Sequence, residues 1–326
     1  MADFPADATS SPRGGLRAAP LVIGLVNSMP GEAFAQTERQ FRAILSAAAH
    51  GSAVQIRLFS LEPPRPSDDE ATRPLYQHAG RIDPFALDGL IVTGMPPRAP
   101  VLTDEPYWEH LTALVDLANA HGLPTVWSCL AAHAAVLHLD GIQRQRLPEK
   151  LSGLFECRQT DCDTPFAAGL PRSWRVPHSR YNDLPVAALV ARGYRILSTS
   201  DAAGADLFVK DAGAPFLFCQ GHPEYDALAL MREYRRDIRQ YLTGARDRYP
   251  AMPQDYFGPT VATLLEAFRE RALGARTAET LAQFPTAACE ADLAHSWCGV
   301  AHGIYANWLA AAGERKARRR SSVKAA

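Results

Sequence analysis

Short apolar runs alternate with stretches of helical periodicity through the first half of the chain. LVIGLVN (21–27) is a continuous apolar run whose Val and Ile content favours a strand buried on both faces. In the segment 36–49, Phe41, Ile44 and Leu45 recur at helical spacing. VQIRLFSL (54–61) alternates as a strand does, and DGLIVTG (88–94) is a second buried run, ending in glycine. A helical pattern over 108–120 precedes LPTVWSC (123–129), a strand that stops at a cysteine, and LAAHAAVLHL (130–139) is helical by composition. This order predicts an α/β fold with a mainly parallel sheet sandwiched by helices.

The middle of the chain follows another rule. Between residues 150 and 220, SWRVPHSRY, YRILSTS, DLFVKDAG and APFLFCQG read as successive strands, with AGAD and DAG as turn material. Helical patterns resume after HPEYDA as far as residue 241, and again over 257–273 and 296–312. The expected organisation is a flexible N-terminal arm (1–19), a main domain (20–245), a helical C-terminal extension packed on it (246–313) and a basic disordered tail (314–326).

Composition narrows the function. The 326 residues carry 34 Lys and Arg against 35 Asp and Glu, a balance that gives no reason to expect a nucleic-acid or membrane-surface partner. No apolar run approaches the ~18 residues that span a bilayer, and MADFPADATSSPRGG lacks the apolar stretch of a secretory signal. Six cysteines without CxxC spacing point to reduced thiols in the cytoplasm and against a zinc cluster. VTGMPP lacks the Gly-Lys-Ser/Thr of a phosphate loop, so neither a metal nor a bound cofactor is expected.

Cys129 lies where the strand PTVWSC meets the helix LAAHAAV. A side chain on such a turn stands at the carboxyl edge of the sheet, beside helix N–H groups that favour a thiolate and an oxyanion. Position alone does not separate this reading from a buried structural thiol. FLFCQGHPEYDA (216–227) is an apolar strand that then presents His222 and Glu224 close together. A histidine can take the thiol proton, and a carboxylate beyond it fixes the imidazole tautomer. Together the segments suggest a Cys129–His222–Glu224 triad.

The chain also resembles the homoserine O-acyltransferases of methionine biosynthesis, a branch of the class I glutamine amidotransferase-like superfamily. The resemblance covers about residues 20–310. It rests on LVNSMP followed by QTE (36–38), DGLIVTGMP, EPYW (105–108), EKLSGLFE (149–156), VPHSRYND (176–183), QGHPEYDA, REYRRDI (232–238) and a late SW…ANW (296–308). It implies acyl transfer from a coenzyme A thioester, succinyl-CoA or acetyl-CoA, to the hydroxyl of L-homoserine, through an acyl group carried on the cysteine. By the same resemblance, Leu130 contributes a backbone N–H to the oxyanion, and Arg236 binds the acceptor's carboxylate. Lys150 and Ser179 fall in substrate-pocket motifs, with Asn27, Arg180 and Tyr225 as weaker candidates. A homodimer is implied as well.

Some residues depart from the family pattern. Leu130, Ala131, Ala132 and His133 stand where Trp-Gly-Ala-Gln is common, and Met95 replaces a small residue. His133 is either a packed helix residue or a polar wall of the acyl site. Arg98 falls in the loop that separates acetyl from succinyl donors, and its charge favours succinyl. The segment 259–295 diverges. Homoserine O-succinyltransferase is the leading reading; acetyl transfer, a serine acceptor and an amidotransferase-like hydrolase are the alternatives.

Overall fold

The computed structural model describes residues 19–62 and 75–325. The expected arm, but for residue 19, lies outside them. The strands are β1 (Leu21–Val26), β2 (Val54–Ser60), β3 (Gln77–His78), β4 (Gly89–Val92), β5 (Thr125–Ser128), β6 (Gln145–Gln159), β7 (Ser173–Asp183), β8 (Arg195–Ser200), β9 (Gly204–Asp211) and β10 (Pro215–Cys219). The α-helices are α1 (Glu32–Ala48), α2 (Trp108–Ala120), α3 (Leu130–Asp140), α4 (Val186–Ala191), α5 (Ala229–Leu242), α6 (Pro259–Gly274), α7 (Thr286–Asp292) and α8 (Cys298–Ala325).

All ten strands join one sheet in the order β3-β2-β1-β4-β5-β10-β9-β8-β6-β7. From β3 to β10 neighbours run parallel; from β10 to β7 every pairing is antiparallel. The strand-rich middle of the sequence therefore continues the parallel sheet as an antiparallel wing, with β6 and β7 at its edge.

Alternation of side chains divides the core between the two faces. Along β10, Leu217 and Cys219 pack with α1, α5, α6 and α8, while Phe216 and Phe218 pack with α2, α3 and α4. Helix α3 is buried over its first seven residues, Leu130–Val136, as suits a helix apolar on all sides. It stops at Gly141, which takes the left-handed conformation at φ 69°.

One expectation fails at the C-terminus. The basic tail is the last part of α8, which runs to Ala325. Arg315 is buried and donates to the carbonyls of Leu87 (2.6 Å), Pro84 (3.0 Å) and His121 (3.2 Å). Lys316 pairs with Asp88 at 2.9 Å, and Asp88 also accepts the Val22 N–H. Loop carbonyls beside β1 and β4 thus recruit these charges and order the segment. No helix among the described residues is long and apolar enough to cross a membrane.

Candidate active site

Four parallel strands end together. Beyond β1 comes the loop 27–31, beyond β4 Thr93 and Gly94, beyond β5 Cys129, and beyond β10 the turn that carries His222. The chain leaves β1 towards β2 and returns on its other side to β4, so a crevice opens at this carboxyl edge. It forms a cavity of about 1040 Å³ lined by Gly94, Cys129, Lys150, Ser179, His222 and Arg236, among others.

Cys129 adopts φ 51° and ψ −112°, a conformation that L-residues rarely hold. Two backbone bonds impose it. Its N–H donates to the Cys219 carbonyl at 2.7 Å, and its carbonyl accepts the His133 N–H at 3.2 Å as α3 begins. Gly94 lies against the turn: a Cβ there would sit 3.1 Å from the Cys129 Cβ and 3.5 Å from the Leu130 nitrogen. Only glycine lets the β4 loop approach the thiol and the helix N-terminus this closely.

His222 and Glu224 are both buried, and the imidazole Nδ1 lies 2.8 Å from Glu224 Oε1. Burial alone would lower the His222 pKa. The Glu224 carboxylate and then the Cys129 thiol, which also hydrogen-bonds the ring, leave it raised well above the ordinary histidine value. Trp297 fixes this turn from outside, its Nε1–H donating to the Tyr225 carbonyl at 2.8 Å.

A second polar group borders the cavity, centred on Glu233 of α5. Its Oε2 meets Lys150 Nζ at 3.2 Å and accepts from Ser179, and its Oε1 accepts from the Tyr225 hydroxyl at 2.6 Å. Arg236 lies 3.8 Å from Glu233 and donates twice to Asp237 Oδ1, at 2.9 and 3.1 Å. Burial would raise the Glu233 pKa; Lys150 and Arg236, with the hydrogen bonds from Ser179 and Tyr225, bring it down to about 2. Glu233 is thus a permanent anion. Among the acids and arginines of REYRRDI it reads as a solvated partner, and no local pattern marks its position.

The other candidates are placed differently. Asn27 is fully buried away from the cavity; its side chain donates to the Phe34 carbonyl at 2.9 Å and accepts the Met29 N–H at 3.1 Å, shaping the loop after β1. Arg180 lines the cavity, but its guanidinium is committed to Asp183, His178 and the carbonyls of Asn182 and Ala203. Arg98 lies outside the main cavity: it pairs with Glu62 in a side pocket of about 60 Å³. His133 is buried, lines the cavity, and has Nε2 2.8 Å from Gln220 Oε1. The Gln220 amide nitrogen already donates to Asp183 and Ala205, so its oxygen faces the ring and His133 is the donor. Burial lowers the His133 pKa to about 3, and the ring is neutral.

Behind His222, Cys157, His178 and Asp206 bring one potential metal-ligating atom each within 4.8 Å of one another. All three are buried, and Asp206 also accepts from the Ser198 hydroxyl at 2.8 Å. His178 and Asp206 lie against Gly221, the residue before His222, and none of the three lines the cavity.

The model of the homoserine O-succinyltransferase family matches residues 10–317 of this chain. A homoserine O-succinyltransferase of Methylorubrum extorquens is 47% identical over 299 residues, covering 91% of this chain and 88% of its own. Another, of Rhodopseudomonas palustris, is 46% identical over 291 residues, covering 88% and 86%. Among solved structures, a glutamine amido transferase from Methylobacillus flagellatus has a TM-score of 0.50 at 17% identity, covering 90% of this chain and 94% of its own. That likeness is one of fold, and it bears out the expected amidotransferase-like sheet. Relatives this similar along nearly the whole length place the molecule by sequence as well: the chain belongs to the homoserine O-succinyltransferase family of acyltransferases.

Proposed function

We propose that this enzyme moves the succinyl group of succinyl-CoA to the hydroxyl of L-homoserine by way of a thioester on Cys129. The observation that carries the reading is the thiol on a strained turn, hydrogen-bonded to a buried imidazole that Glu224 holds at 2.8 Å. The imidazole, its pKa raised, takes the thiol proton and leaves a thiolate to attack.

The thiolate attacks the thioester carbonyl, whose oxygen takes up the electron pair beside the Leu130 N–H and the Gly94 backbone. Collapse breaks the bond to the CoA sulfur, which leaves with the proton of His222. The imidazole, now neutral, takes the proton of the homoserine hydroxyl as that oxygen attacks the acyl-cysteine. Collapse of this second intermediate regenerates the thiolate and releases O-succinylhomoserine. Glu224 fixes the proton on Nδ1 and supports the positive ring.

In this reading Arg236 grips the acceptor's carboxylate. Two of its five N–H groups go to Asp237, and the guanidinium is partly open to the cavity. Lys150, Ser179 and Tyr225 hold Glu233 facing the acceptor's ammonium. Acyl-CoA is a co-substrate, and the work takes place in the cytoplasm, with the homodimer of the family resemblance as part of the proposal.

The test is a matrix of succinyl-CoA and acetyl-CoA against homoserine and serine, followed by release of free thiol. Preferred turnover of succinyl-CoA, dependent on homoserine, is the expected result. Thiol release that ignores the acceptor would replace a transferase with a hydrolase.

A further inference from the structure

Succinyl and acetyl donors differ in one respect that a protein must answer. The succinyl chain ends in a carboxylate, three C–C bonds of about 1.5 Å each from the thioester carbon. Once the acyl group is on Cys129, that charge is confined to the cavity. A carboxylate taken out of water needs a cation or several donors.

The two flanks of the cavity differ in what they can offer. On the α5 flank the cations near the acceptor groups are already neutralised: Lys150 by Glu233 and Asp237, Arg236 by Asp237, and Arg232 by Asp226. Arg235 and Arg239 also line the cavity but are exposed, where a carboxylate keeps its water. The opposite flank, beside Cys129, is made by Thr93–Pro97, Leu130, His133 and Arg144. His133 is neutral there and its Nε2 proton is used by Gln220.

Arg144 stands immediately before β6 and is half-buried. Among the described residues its one hydrogen bond is a long contact, 3.4 Å, to the Pro100 carbonyl, and no carboxylate lies within ion-pairing distance of it. Burial and the neighbouring Arg146 oppose its charge; Tyr107, Glu105 and the nearby Cys129 favour it. A guanidinium stays protonated throughout, and its planar fork suits a carboxylate.

We infer that Arg144 receives the distal carboxylate of the succinyl group and sets the preference for a dicarboxylic acyl donor. Arg98, which the sequence put forward for this task, is held by Glu62 outside the main cavity. The donor's tail and the acceptor's charged groups then occupy opposite sides of the thiol. Neither has to leave for the other to bind.

This assignment rests on the succinyl-CoA reading, and the test separates the two. Arg144→Gln, Arg144→Lys and Arg98→Gln are compared with wild type for kcat/KM with succinyl-CoA and with acetyl-CoA at saturating homoserine. Arg144→Gln should reduce use of succinyl-CoA by roughly ten- to a hundredfold, the size of a lost charged hydrogen bond. Its use of acetyl-CoA should change little, which also shows that the variant folds. Arg144→Lys should fall between, and Arg98→Gln should keep the wild-type donor ratio. Equal losses with both donors in Arg144→Gln, or a shifted ratio in Arg98→Gln alone, would overturn the assignment while leaving the succinyl reading intact. A wild-type enzyme that prefers acetyl-CoA would overturn both.

Discussion

The ring of Tyr225 stacks on the imidazole of His222, with centroids 4.2 Å apart and planes 19° from parallel, while its hydroxyl donates to Glu233 at 2.6 Å. One side chain therefore touches both the proposed general base and the Glu233 anion proposed to face the acceptor. Tyr225→Phe keeps the stack and deletes the donor. We expect acylation of Cys129 by succinyl-CoA to proceed near the wild-type rate, while KM for homoserine rises about tenfold, as for loss of a hydrogen bond to a charged group. Pre-steady-state thiol release and steady-state homoserine kinetics check the two halves separately.

Gly221 makes a second prediction. A Cβ at this position would lie 2.6 Å from Asp206 Oδ1 and 3.0 Å from His178 Nε2. The next residue, His222, is tied by its N–H to the Pro177 carbonyl at 2.7 Å. In Gly221→Ala the backbone must move away from the buried pair and take the base with it. Overpacking of this kind costs on the order of 1–3 kcal/mol of stability, and a base displaced by about 1 Å can lose a hundredfold in rate. Thermal unfolding and kcat, measured together, should both fall. A variant with wild-type kcat would show that the pair does not position His222.

His133 predicts a pH dependence of stability. Its pKa in the fold is about 3, against an ordinary value of 6.5. Between those values the unfolded chain binds a proton that the folded chain refuses, so stability falls as the pH drops through that window. The slope from one such group approaches about 1.4 kcal/mol per pH unit. His133→Gln keeps a donor for Gln220 and removes the titration. Urea unfolding between pH 6 and 4 should show a shallower acid slope in the variant than in wild type. Parallel slopes would contradict the buried neutral ring.

Much of this was legible in the sequence because local patterns carried it. The periodicity over 108–120 coincides with α2, and the junction of an apolar strand with an apolar helix at Cys129 is a signal written in consecutive residues. What escaped depends on partners remote in sequence. Arg315 sits in a run that reads as solvated, yet its carbonyl partners lie near residues 84–87 and 121. Glu233 looks like a surface acid until the pairing of β6 with β7 brings Lys150 and Ser179 onto it. Arg98 stands out in the sequence by its charge, but charge alone does not reveal that Glu62, thirty-six positions earlier, takes it up. The antiparallel wing shows the same limit, since its strands were visible and their order was not.

The account depends on Cys129 carrying the acyl group, and mass spectrometry of the peptide that contains it tests that most directly. The enzyme is mixed with succinyl-CoA without homoserine, quenched in acid and digested. The account predicts a mass increment of one succinyl group on the peptide containing Cys129, its loss when homoserine is added before the quench, and its absence in Cys129→Ser or His222→Ala. An unlabelled cysteine in an enzyme that still turns over, or full activity in Cys129→Ala, would contradict the account.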